Sequence, residues 1–157
     1  MKLAVVGTRE FTDWNIFYDV LDAFVSTTSS PVELIVSGGA VGPDSMAERY
    51  AANKNIDMLV IKPDWNRHGQ AAGMVRNGEI VENCDEALVF WNYNSKGTMN
   101  TVNRLYKAEK NFMVYDFTKN ELFTFGYKAL PYIRLELYEE KMRMQGMNNG
   151  RSKWTSR

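Results

Sequence analysis

The feature that most limits the fold of this chain is a regular alternation of short apolar runs with longer segments of helical periodicity. Strand-like runs are expected at Lys2–Val6, Glu33–Val36, Asp57–Ile61, Glu86–Trp91 and Asn111–Tyr115. Between them lie four helix-like stretches. The first is capped by Asp13 and runs to about Thr27, with Ile16, Phe17, Val20, Leu21, Phe24 and Val25 on its apolar face. The second spans Pro43 to about Lys54. The third spans about His68 to Asn83 despite its glycines, and the fourth about Thr98 to Glu109. Parallel strands need crossover helices, so this order predicts an α/β fold: a Rossmann-like, doubly wound sheet of about five parallel strands. Beyond it, Phe117–Phe125 alternates as a hairpin centred on Lys119-Asn120 or an edge strand. Leu130 to about Met144 reads as a helix with Leu130, Ile133, Leu137 and Met144 near one face. That face suits either covering the core or self-association as a homodimer or larger homo-oligomer, and the two are equally open. One domain over 1–145 and a flexible basic tail over 146–157 complete the expected organisation.

In such a sheet, ligands bind beyond the carboxyl ends of the strands, where strand order reverses. Three polar or glycine-rich turns should meet there: Gly7-Thr8-Arg9, the run Ser37-Gly38-Gly39-Ala40-Val41-Gly42-Pro43-Asp44, and Asn92–Thr98 with Lys96, Gly97 and Thr98. In the middle turn a strand feeds a helix through glycines, with Pro43 just inside the helix start. That arrangement lets backbone N–H groups approach an anionic or polar ligand. The expected division of labour gives the phosphate to free amides of Gly38, Gly39 and Ala40, and the ribose hydroxyls to Asp44. Arg9 can clamp a phosphate or pair with Asp44. Trp65 and Trp91 are aromatics of the core or pocket wall, and either ring can stack on a base.

Composition removes several classes. No apolar run is long enough for a membrane-spanning helix, the N-terminus lacks a signal-peptide pattern, and Cys84 is the only cysteine, so a cytoplasmic protein is expected. His68 is the only histidine, which points away from a metal site, and no cofactor is expected. The net charge of zero divides into −5 through Glu140 and +5 after it. A mildly acidic body is a poor surface for nucleic acid, leaving a small-molecule ligand as the expected partner.

The ordered motifs Gly7-Thr8-Arg9-x-Phe11-x-Asp13, Ser37-Gly38-Gly39-Ala40-x-Gly42-x-Asp44-x-x-Ala47, Pro63-x-Trp65, Ala72-Gly73-x-x-Arg76-Asn77, Phe90-Trp91 and Gly97-Thr98 resemble the YspA-like branch of the SLOG superfamily. The resemblance extends over about Met1 to Asp116. It implies a Rossmann-like fold that binds nucleotides or related molecules. The superfamily includes the LOG enzymes, which cleave the N-glycosidic bond of cytokinin nucleotides. By the same resemblance Arg76 matches an arginine bordering the active site, with Asn77 available to orient it. LOG enzymes carry Pro-Gly-Gly-x-Gly-Thr-x-x-Glu in the fourth-strand turn. Here Gly97 and Thr98 match, but the glutamate position is Thr101. A threonine can neither stabilise a developing oxocarbenium ion nor activate water. The expected function is therefore binding of a nucleotide, cyclic nucleotide or ADP-ribose-like signal without turnover. The alternative is a phosphoribohydrolase in which Asp44 or Glu79 replaces the missing carboxylate.

Overall fold

A computed structural model describes residues 1–125. Six strands form one sheet in the order β3-β2-β1-β4-β5-β6. These are β1 (Lys2–Gly7), β2 (Leu34–Ser37), β3 (Asp57–Val60), β4 (Glu86–Phe90), β5 (Asn111–Asp116) and β6 (Glu121–Phe125). The first five are parallel and β6 returns antiparallel to β5. The hairpin turns at Lys119-Asn120 as expected, with Asn120 at φ 55° and Lys119 N–H donating to the Asp116 carbonyl. Strand order runs outward from β1 in both directions, so the reversal lies between β1 and β4.

Helices α1 (Trp14–Thr27) and α2 (Pro43–Lys54) cover one face, and α4 (Ala72–Glu82) and α5 (Lys96–Lys107) the other. Strand alternation explains the two cores. In β1, Leu3 and Val5 pack with Phe17, Leu21, Ala47 and Tyr50 beneath α1 and α2, whereas Ala4 and Val6 pack with Ile80, Val81, Val102 and Leu105 beneath α4 and α5. Asp13 caps α1 by accepting from Ile16 N–H at 3.1 Å.

The third helix differs from expectation. Asp64 accepts from Arg67 N–H and starts a single turn, α3 (Trp65–His68); Gly69 at φ 57° then breaks it, and a 3-10 turn (Gly69–Ala71) leads into α4. The fourth helix begins two residues early because the Ser95 hydroxyl caps Thr98 N–H at 3.1 Å. Among the described residues no helix is long and apolar enough to cross a membrane. The helix expected over 130–144, the domain limit at 145 and the tail 146–157 lie outside the described residues.

Candidate functional site

The carboxyl ends of β1, β2 and β4 bring the expected turns together, and the turn after β2 is built around its own carboxylate. Asp44, the second residue of α2, folds back so that Oδ2 accepts from Gly38 N–H at 2.8 Å. The amides of Ala40 and Gly7 are near enough to favour its charged form. The residue is 4 % exposed. Burial raises its carboxyl to about 6, opposed by the Gly38 amide, the Arg76 guanidinium and the other two amides. Two expectations change as a result. The Gly38 amide serves Asp44 and is not open to a phosphate, and Asp44 is an internal tie of the turn, shielded from a ribose. The physical reason is local: two residues into α2, a short carboxylate reaches the same amide that a bound anion would use.

Gly42 shows why this turn needs glycine. Its φ is 92°, and a Cβ there would stand 3.0 Å from the carbonyls of Thr8 and Arg9. That contact fixes the first turn against the second. Ser37 is fully buried, its hydroxyl reaching the Asp44 carbonyl at 3.4 Å. Thr8 is 2 % exposed and its hydroxyl has no hydrogen-bond partner, although a buried hydroxyl ordinarily finds one.

Arg76, on α4, lies across Gly38. Its Nη1 donates to the Gly38 carbonyl at 2.5 Å and its Nε to Asn77 Oδ1 at 3.1 Å. Asn77 thus orients Arg76, the role the motif implies. Asn77 Nδ2 in turn donates to Asn100 Oδ1 at 3.1 Å and to the Gly97 carbonyl at 3.4 Å. One buried amide therefore joins the second turn, through Arg76, to the start of α5. Half-burial lowers the Arg76 pKa; the Asp44 charge opposes that shift and the nearby Arg9 charge adds to it. Arg9 and Arg76 are thus close enough to repel. Lys96 and Gly97 form the exposed first turn of α5, while Thr98 is buried.

The surroundings of Trp91, Trp65, Glu79 and Thr101 narrow what each can do. Trp91 is fully buried, its ring 4.6 Å from that of Tyr93 and its Nε1 donating to the Ser95 carbonyl at 3.2 Å. It has no face for a base. Trp65 is the ring with an open surface, at 60 % exposure. Glu79 is exposed and lies two residues from the inward-facing Asn77, hence on the opposite side of α4. Thr101, at the LOG glutamate position, is 4 % exposed and turns its hydroxyl onto the Gly97 carbonyl at 3.4 Å. Sequence reasoning missed Lys62. A Cβ on Gly39 would meet Lys62 Cγ at 3.2 Å and Cε at 3.3 Å, so this lysine lines the same turn. The available signal was its position immediately after the third strand, at the sheet edge where ligands bind.

Residues 1–68 match the sequence model of the YspA, cpYpsA-related SLOG family. That span holds Thr8, Arg9, the Ser37–Asp44 turn, Lys62 and Trp65, and stops before Arg76. Over 114 residues the chain is 32 % identical to the Gene 61 protein of Mycobacterium phage D29, covering 68 % of this chain and 90 % of that protein.

Proposed function

Because the chain belongs to the YspA, cpYpsA-related SLOG family, we propose that it binds a nucleotide-derived small molecule at this sheet edge. The ligand is a nucleotide, a cyclic nucleotide or an ADP-ribose-like signal, sensed or sequestered without turnover. Family membership carries a nucleotide-related role in general; the particulars rest on the residues. One observation supports them most. Arg76 lies half-buried across Gly38 with the positive charge of Arg9 near enough to disfavour its own, and the carboxylate of the turn, Asp44, is committed to the Gly38 amide. An anion seated between the two guanidiniums relieves that repulsion and gains charge-assisted hydrogen bonds. Lys62 and Lys96 extend the positive rim, and Trp65 is the ring available to stack on a base.

Binding without turnover is supported by what happens to each carboxyl group. Thr101 supplies none, Glu79 faces away, and Asp44 is shielded. The second reading, a LOG-like phosphoribohydrolase, draws on one specific observation: a carboxyl raised to about 6 is tuned for general acid work. To act it would have to leave the Gly38 amide.

Incubation with a panel of nucleoside monophosphates, cyclic nucleotides and ADP-ribose, followed by heat release and mass spectrometry, separates the two readings. Intact ligand recovered from wild type, with binding lost in Arg76→Ala and weakened in Trp65→Ala, is the expected result. Free base together with ribose phosphate would establish hydrolysis. Unchanged affinity in Arg76→Ala and Arg9→Ala would remove the site.

A further inference from the structure

Lys62, just past the third strand, is held more firmly than an exposed lysine requires. Ile61 N–H donates to the Ser37 carbonyl at 2.8 Å, which carries the β2–β3 pairing one residue beyond Val60 and sets Lys62 beside the Gly38-Gly39 turn. Pro63 follows, and the residue before a proline is kept extended. Asp64 then starts α3 by accepting from Arg67 N–H at 3.1 Å, so the carboxylate two residues along is committed elsewhere. The backbone of Lys62 is thereby fixed from both sides.

Its side chain follows the turn. Gly39 has φ 74°, and the place its missing Cβ would occupy lies 3.2 Å from Lys62 Cγ and 3.3 Å from Cε. Two stem atoms so near one point mean that the stem curls over Gly39, and the ammonium is a single bond beyond Cε. Arg76 fills the matching space at Gly38, where a Cβ would stand 2.8 Å from its Cζ and 3.0 Å from its Cδ. The arginine arrives from α4, on one face of the sheet, and the lysine from the end of β3, the outermost strand. Two cations thus lie over consecutive residues, whose Cα atoms are about 3.8 Å apart, and reach them from different directions. Among the described residues neither has a carboxylate within ion-pair distance.

Donor capacity separates their work. A guanidinium has five N–H donors. In Arg76 the Nε donor serves Asn77 Oδ1 and one Nη1 donor serves the Gly38 carbonyl, which leaves enough for a bidentate hold on one phosphate. Lys62 brings a separate point charge with three donors and no anion of the protein to hold. A monophosphate gripped by Arg76 leaves that charge unmatched; a second phosphate joined to the first meets it.

We propose that Lys62 sets the specificity of this site, selecting nucleotides that carry a diphosphate over monophosphates, with one phosphate on Arg76 and the next on Lys62. The inference rests on the nucleotide-binding reading above and narrows its ligand class. An ammonium on a flexible stem suits either a terminal phosphate, as in ADP, or a bridged one, as in ADP-ribose.

Calorimetry on the full chain with AMP, ADP and ADP-ribose, in EDTA, tests this. At least one of the two diphosphates should bind about tenfold more tightly than AMP, and which one does so tells whether Lys62 meets a terminal or a bridged phosphate. Lys62→Met keeps the stem and removes the charge. It should bring that ratio below about threefold, chiefly by weakening the diphosphate, and Lys62→Arg should restore it. Arg76→Ala should weaken all three ligands. Lys107→Met, at the end of α5 on the opposite edge of the sheet, removes the same net charge and should leave the ratio intact. Equal affinity for AMP and both diphosphates in wild type, or a ratio unchanged in Lys62→Met, would overturn the specificity while nucleotide binding stands. Absence of binding by all three would remove the nucleotide reading and this inference with it.

Discussion

Asn77 is the joint on which the candidate site turns, and its replacement has a calculable cost. The side chain is 8 % exposed. Truncation in Asn77→Ala removes the bond from Arg76 Nε and the bond to Asn100 Oδ1, both at 3.1 Å, and the longer 3.4 Å contact with the Gly97 carbonyl. A charged hydrogen bond to a half-buried arginine contributes about 1–1.5 kcal/mol and the neutral amide pair about 1, the long contact little. The sum, about 2 kcal/mol, lowers the thermal midpoint of a chain this size by about 4–8 °C. Asn77→Asp sharpens the test. Its carboxylate still accepts from Arg76 but turns an acceptor towards two further acceptors, Asn100 Oδ1 and the Gly97 carbonyl. Asn100 cannot flip its amide to compensate without losing the Arg104 Nε bond at 3.1 Å. The aspartate should therefore be the worse variant, at about 3 kcal/mol, despite being nearly isosteric. Urea unfolding of the three proteins, with an Arg76→Ala/Asn77→Ala double-mutant cycle, measures both effects. An aspartate variant as stable as wild type, or a coupling energy near zero, would refute this account of the joint.

Asp44 gives a pH signature. Its folded value of about 6 lies above the unfolded value of 3.8, so the folded state binds more protons between them and stability falls as pH rises from about 4 to 6. The span is about 3 kcal/mol; Asp44→Asn should lose this part of the profile, and parallel urea-derived profiles for the two proteins would contradict it. In Gly38→Ala the new Cβ would come 2.8 Å from Arg76 Cζ and 3.0 Å from its Cδ. The flexible arginine should swing away, reducing nucleotide affinity about tenfold by calorimetry for about 1 kcal/mol of stability. Thr101→Glu should not restore hydrolysis, since it buries an unpaired charge at a position 4 % exposed. A loss of about 3 kcal/mol in urea unfolding is expected, and a stable variant releasing free base would reverse the binder reading.

The sheet, its topology and its hairpin were legible because they depend on periodicity, which a single sequence displays. The same holds for the meeting of the three turns, which follows from strand order. Errors arose where one side chain competes with another for a partner. Asp64 and Ser95 start helices at positions chosen by a single hydroxyl or carboxylate oxygen, and periodicity is blind to that. Trp91 reads equally as core or pocket wall until strand parity is applied: it continues the apolar run of β4 and falls with Ala87 and Val89 in the core beneath α4 and α5. Lys62 was overlooked because an isolated lysine after a strand has no pattern, and only the close approach of Gly39 reveals it.

Asp44 illustrates the deepest of these limits. The residues Ser37 to Asp44 read equally well as an empty cradle for a phosphate and as a cradle already closed by its own carboxylate, because both need the same glycines and the same helix start. The two differ in consequence. An open cradle would place the ligand phosphate on backbone amides, with little dependence on side chains. A closed cradle becomes a preformed wall: Asp44 holds the Gly38 amide, its charge supports Arg76, and Asn77 orients Arg76 over Gly38. The anion then meets the side chains of Arg9, Lys62 and Arg76. Its affinity should depend steeply on those cations and on ionic strength, since exposed charges are screened over about 8–10 Å in physiological salt. A nucleotide titration insensitive to salt would return the phosphate to the backbone and require Asp44 to move on binding.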